Sequence, residues 1–127
     1  MKGSKKLDPY PIWGNGKQIR DFVYVEDVID GLLLTIEKYP NADIINIATG
    51  KDITVLDTVK TICNIYEYKP KFEFDLSKPS MIKARRVDVK KAQKLLGFKA
   101  KYSVAEGMKN TIEWYEANKE KLNYKKD

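Results

Sequence analysis

The feature that most restricts this chain is the run DIINIATG, Asp43 to Gly50. It is an apolar stretch with the single interruption Asn46, closed by Gly50 and too short for a helix. A run of this kind predicts a strand covered on both faces, which places it centrally in a sheet. Helical patterns flank it on either side. Before it, Val25, Val28, Ile29, Leu32, Leu33 and Ile36 recur at helical spacing. Glu26 and Asp27 lie in the first turn, where the helix dipole favours negative charge, and Pro40 and Asn41 mark the stop. After it, Thr54 and Asp57 resemble a capping box, opening a helix whose stripe is Val55, Val59, Ile62, Cys63 and Tyr66, with Pro70 beyond its end.

The remaining segments extend the same pattern. Asn15-Gly16 is a turn signal between Ile12-Trp13 and a strand over Gln18 to Val25, as a short hairpin or an extended entry. KFEFDL alternates Phe72 and Phe74 with charged neighbours and predicts a half-buried strand, whereas SKPSMIKARR has no periodicity and reads as a positively charged loop. Asp88 can cap a short helix carrying Val89, Ala92, Leu95 and Leu96, with Gly97 at its C′ position. Ser103 and Glu106 form a second capping box, ahead of a helix with Val104, Met108, Ile112 and Tyr115 toward the core. The order is β, α, β, α, β, loop, α, α. That is a mixed α/β domain with parallel crossovers expected in its first half.

A length of 127 residues suits one compact domain. Residues 1–8 read as a terminal extension, 9–122 as the domain and 123–127 as a tail. MKGSKK is basic but no apolar stretch follows it, so it does not read as a signal peptide. No apolar run approaches the roughly 20 residues of a membrane span. A cytoplasmic protein with no membrane partner is expected. The chain has no histidine, which removes the commonest general base and metal ligand, and its one cysteine, Cys63, falls on an apolar helical stripe. A buried thiol is predicted, and disulfides and cysteine metal sites are excluded. The net charge of +6 comes almost wholly from scattered lysines, a solvated surface in its plainest reading. Nucleic acid is not an expected partner, because no basic run interleaved with aromatics is present.

Against that lysine background only three arginines occur, Arg20, Arg85 and Arg86. A guanidinium offers a planar fork of donors matched to phosphate or carboxylate, which a lysine does not reproduce. Arg20 therefore reads either as an anion ligand or as the partner of Asp21 or Asp27. Gly14-Asn15-Gly16-Lys17 does not read as a phosphate cradle, since both glycine-rich phosphate motifs lead into a helix and this one leads into a strand. The turn is structural, and it delivers Arg20.

Four segments in register carry a family resemblance: WGNGKQIRDFVYVEDV, INIATGKDITV, SKPSMIKARRVDVKKAQKLLGF and SVAEGMKNTIEWY. Together they resemble the C-terminal, substrate-binding part of the extended short-chain dehydrogenases, the NAD-dependent epimerase/dehydratase family acting on sugar nucleotides. The W-G-x-G approach to Arg20 and the F-D-x-S-K-P loop are most similar to the GDP-L-fucose synthase branch, with UDP-glucose 4-epimerase-like proteins next. One departure is that Lys78-Pro79-Ser80-Met81 stands where many members have Lys-Pro-x-Gly, which alters the loop that approaches the nucleotide. The resemblance implies a small mixed α/β substrate-binding domain without its Rossmann half. It implies that Arg20 contacts the diphosphate of a nucleotide-diphosphate sugar, with Lys78, Arg85 and Trp13 as further substrate-binding residues. It implies NAD or NADP in the complete enzyme and no cofactor-binding or catalytic residue on this chain. Tyr115 and Lys119 match the Y-x-x-x-K spacing of the family's proton-transfer pair, but eight tyrosines among many lysines produce such a match by chance, and Tyr115 reads as a core aromatic. The chain alone is expected to be inactive, with the Rossmann half as its missing partner and self-association as a further expectation. The alternative is a stand-alone, non-catalytic nucleotide- or protein-binding module.

Overall fold

The computed structural model describes residues 7–78 and 82–122. The first six residues of the terminal extension, the tail 123–127 and the loop positions 79–81 lie outside the described residues. In chain order the elements are β1 (Tyr10–Trp13), β2 (Ile19–Arg20), α1 (Val25–Lys38), β3 (Ile53–Thr54), α2 (Val55–Ile65), β4 (Phe72–Asp75), α3 (Lys90–Leu96) and α4 (Val104–Asn118). The mixed α/β class stands. β1 and β4 pair in parallel with Tyr10 opposite Phe72 and Trp13 opposite Asp75, while β2 and β3 pair antiparallel. Asn15-Gly16 does turn the chain, but β1 and β2 do not form a hairpin, because β1 takes β4 as its partner.

Local chemistry sets the helix ends. Thr54 Oγ1 accepts from Asp57 N at 3.0 Å, and Ser103 and Glu106 form the reciprocal capping box, with bonds of 3.2 and 2.8 Å. Asp88 Oδ1 accepts from Lys90 N at 2.9 Å at the head of α3. Gly97 closes that helix in the left-handed conformation, with φ 68°.

Two expected strands came out differently. The run Gln18 to Val25 is strand only at Ile19–Arg20, because Asp21 turns its side chain onto Thr49 and Gly50 and, among the described residues, no strand pairs with Phe22 to Tyr24. β-Branched sequence alone does not make a strand without a neighbour to pair with. For the same reason Asp43 to Gly50 is not a central strand. Ile45 and Ile47 point inward onto Leu96 and its neighbours while Ile44 is 82% exposed, so 44–47 keep a strand's alternation with one face covered, and Ala48 beyond them is buried. Among the described residues, no backbone hydrogen bond joins 45–48 to another segment.

The core lies where this segment, α1 and α3 meet. Ala92, Leu96 and Phe98 are buried, with Leu34, Tyr39, Ile45, Ile47, Leu95 and Ala100 packed on them. α1 contributes the opposite side from the one its pattern predicts. Asp27 and Gly31 are buried, and Val25, Ile29, Leu32, Leu33 and Ile36 face outward. Gly31 is required there, since a Cβ would come within 2.8 Å of Ile47. Cys63 is buried as read. Tyr115 is 41% exposed, not a core residue, because it sits on the outer flank of α4.

Candidate anion-binding site

Arg20 ends β2, the middle segment of a short strip. On one side it pairs with Ile53 of β3. On the other, Ile19 forms a parallel bridge with Ala84, held by Ile19 N to Lys83 O at 2.9 Å and Arg85 N to Ile19 O at 3.1 Å. Arg20 and Arg85 are the residues that follow this bridge, so strand alternation puts both on one face of the strip. Gln18 and Lys83 precede it and share that face. Arg20 donates from Nη1 to the carbonyls of Ile19 (2.7 Å) and Ile82 (3.1 Å), which fixes the guanidinium against the loop. Among the described residues no carboxylate lies within ion-pair distance of Arg20, and Arg85 has no side-chain partner. The Asp21 and Asp27 pairings are removed: Asp21 binds Thr49 and Gly50, and Asp27 accepts from the amides of Lys101 and Tyr102. Among the described residues Arg86 is the one arginine with an acid, held by Asp52 through Nε and Nη2.

Beside this face is a hollow of about 280 Å³ lined by Asn15, Lys17, Gln18 and Lys83. Its floor depends on the tight turn before it. Gly16 has φ +69°, and a Cβ there would approach Leu56 Cβ to 3.0 Å and Phe74 to 3.2 Å, so the chain can pass only as glycine. Sequence reading missed Lys17, Gln18 and Lys83, since two lysines among so many carry no signal and Gln18 has none of its own.

Trp13 and Lys78 form a separate pair. Trp13 is 66% exposed on β1, and the Lys78 ammonium lies 5.7 Å from its ring centroid, within cation–π range. The turn after β4 delivers Lys78: Asp75 accepts from Ser77 N and Ser77 Oγ, and its carboxyl is held below the ordinary range chiefly by the Ser77 hydroxyl. Thus the four residues read from sequence fall into two pairs, Arg20 with Arg85 and Trp13 with Lys78. The Gly14–Lys17 turn connects β1, which carries Trp13, to β2, which carries Arg20. Among the described residues there is no cluster of metal-ligating side chains and no helix long and apolar enough to cross a membrane. A dinucleotide does not fit these residues: the one G-x-G, at Gly14 and Gly16, opens onto β2 and offers no helix N-terminus.

The strip sets two arginines that have no acid partner among the described residues beside a hollow lined by Lys17 and Lys83, on a small α/β domain. The GDP-mannose 4,6 dehydratase family matches residues 2–111, and the chain belongs to that family, among the extended short-chain dehydrogenases. It is 27% identical over 107 residues to "Probable GDP-L-fucose synthase 1" of Oryza sativa subsp. japonica, covering 84% of this chain and 32% of that protein. Among solved structures it resembles MoeE5 in complex with UDP-glucuronic acid and NAD (31% identity, TM-score 0.70, 87% of this chain and 37% of that one). It also resembles UDP-glucose 4-epimerase of Thermotoga maritima with UDP-glucose (33% identity, TM-score 0.73, 85% and 35%). The chain spans about a third of the length of the relatives it matches.

Proposed function

We propose that this chain is the substrate-binding part of an NAD(P)-dependent sugar-nucleotide epimerase, dehydratase or reductase. Arg20 and Arg85 clamp the nucleotide diphosphate, and Trp13 with Lys78 meets the nucleotide at the other end of the connecting turn. Hydride-transfer chemistry belongs to the portion of the relatives that this chain does not span. The observation that carries the reading is the adjacent placement of two arginines without acid partners among the described residues, while the third is bound by Asp52. Guanidinium groups matched with no carboxylate are suited to an incoming dianion. Binding and orienting the substrate in this way contributes to rate by fixing the reacting sugar relative to the hydride carrier.

The test is calorimetric titration of UDP-, GDP- and dTDP-sugars, with NAD and NADP in parallel. One of the nucleotide sugars should bind, and neither cofactor should. Arg20→Ala should weaken that binding by about 1.5–3 kcal/mol, the range for charge-assisted hydrogen bonds. Arg20→Lys should recover part of the loss, since an ammonium lacks the planar fork. Lys78→Ala should cost less and respond more to salt, as an exposed charge does. Unchanged affinity in Arg20→Ala would end the clamp reading, and saturable cofactor binding would contradict the assignment of the chemistry elsewhere.

A further inference from the structure

Strands of two residues are a weak frame for a site that depends on charge spacing. β2 and β3 pair only at Ile19 with Thr54 and Arg20 with Ile53, and the segment carrying Arg85 adds one bridge. A two-stranded ribbon of this size is marginal in water, so backbone pairing alone leaves Arg20 and Arg85 loosely related. Immediately beyond the ladder, two carboxylates take over. Asp21 Oδ1 accepts from Thr49 N at 3.1 Å and Thr49 Oγ1 at 2.6 Å, and its Oδ2 accepts from Gly50 N at 2.7 Å. Gly50 has φ +72°, and a Cβ there would come within 2.9 Å of Val89, so the turn gripped by Asp21 has little freedom to shift. Two residues on, Asp52 binds Arg86 with contacts of 2.9 Å to Nε and 2.8 Å to Nη2.

Asp21 therefore ties the Arg20 strand to the turn that leads into β3. Asp52 ties the far end of that turn to the segment carrying Arg85. We propose that Asp21 is a positioning residue for diphosphate recognition, acting through Arg20, with Asp52 and Arg86 holding Arg85 at the matching distance. Neither carboxylate neutralises the arginine it positions.

This role presupposes the diphosphate reading of Arg20, and a double-mutant cycle separates the two. UDP is titrated into the 127-residue chain, Arg20→Ala, Asp21→Asn and the double variant. Asp21→Asn preserves shape and removes a negative charge beside an anion site, so Coulomb's law alone would strengthen UDP binding. The positioning role predicts the opposite sign: at least about fivefold weaker binding, and no further effect once Arg20 is absent. Thr49→Val removes one donor from the same contact without altering charge and should weaken UDP in the same way, again only when Arg20 is present. Melting temperatures of the same proteins report the structural share, which does not depend on Arg20. If Asp21→Asn leaves UDP affinity unchanged, raises it, or lowers it equally in both backgrounds, the positioning role is overturned and the clamp stands. If Arg20→Ala itself leaves UDP affinity unchanged, both fall.

Discussion

Asp27 ties α1 to the loop entering α4. Its side chain is only 1% exposed, and it accepts from Lys101 N at 2.8 Å and Tyr102 N at 3.2 Å, so one carboxylate serves two amides of the loop entering α4. Neighbours on α1 reinforce the contact: Glu26 accepts from the Tyr102 hydroxyl at 2.6 Å, pushing that phenol up to about 12, and Asp30 pairs with Lys101 at 2.5 Å. Truncating Asp27 leaves two amides without their acceptor, each costing about 1–3 kcal/mol when buried. Asp27→Ala should therefore lower unfolding free energy by about 2–4 kcal/mol, measured by urea denaturation, whereas Asp30→Ala, which breaks an exposed pair, should cost no more than about 1 kcal/mol. Equal losses in the two variants would contradict this account. The sequence showed Asp27 as a first-turn acid, and that is true as far as it goes. What it could not show is that the same carboxylate reaches a loop more than 70 positions away, because such pairings depend on how elements pack.

At the scale of elements, the termini were legible and the faces were not. The Thr54 N-cap, the Ser103–Glu106 capping box and the Gly97 stop follow from side chains within four residues of one another, which is information a sequence carries locally, although at Thr54 the expected reciprocal bond is replaced by one between the Thr54 hydroxyl and the Asp57 carboxylate. The α4 box also makes a pH prediction. Glu106 is held below its ordinary 4.5 chiefly by the Ser103 side chain, so the folded state favours the carboxylate. A lowered folded pKa gives stability that is complete above about 4.5 and is lost as pH falls through the folded value. Glu106→Gln keeps an acceptor for the Ser103 amide but cannot titrate. Its melting temperature should lie slightly below the parent's near neutrality, fall less steeply below pH 4.5 and converge with the parent in acid; identical acid profiles would rule this out. By contrast, the strand at Asp43 to Gly50 and the α1 stripe needed neighbours that periodicity cannot supply. The apolar pattern correctly recorded surfaces suited to burial, but only one side of each is covered in this chain. The candidate site divides similarly: Arg20 and Arg85 stood out as rare residues, while their supports Asp21, Thr49 and Asp52 became visible only through the turn that joins them.

The whole molecule is a domain with an uneven exterior. Phe22, Val25, Ile29, Leu32, Leu33 and Ile36 are all exposed along or beside α1, and Ile44 lies on the uncovered side of the neighbouring segment. A contiguous apolar face of this kind meets water unfavourably and favours association. Sedimentation at increasing concentration should show self-association accompanied by binding of a hydrophobic dye, and Leu33→Lys with Ile36→Lys should reduce both. A strictly monomeric parent that binds no dye would refute this. The uncovered segment has a thermodynamic consequence of its own. Straightening an unstructured chain costs about 1–2 kcal/mol per residue in conformational entropy, and here Ile45 and Ile47 are already held extended by their packing on α3 and by the close approach of Gly31. Any strand laid against 45–48 would therefore meet a preorganised edge and would have only its own freedom to lose.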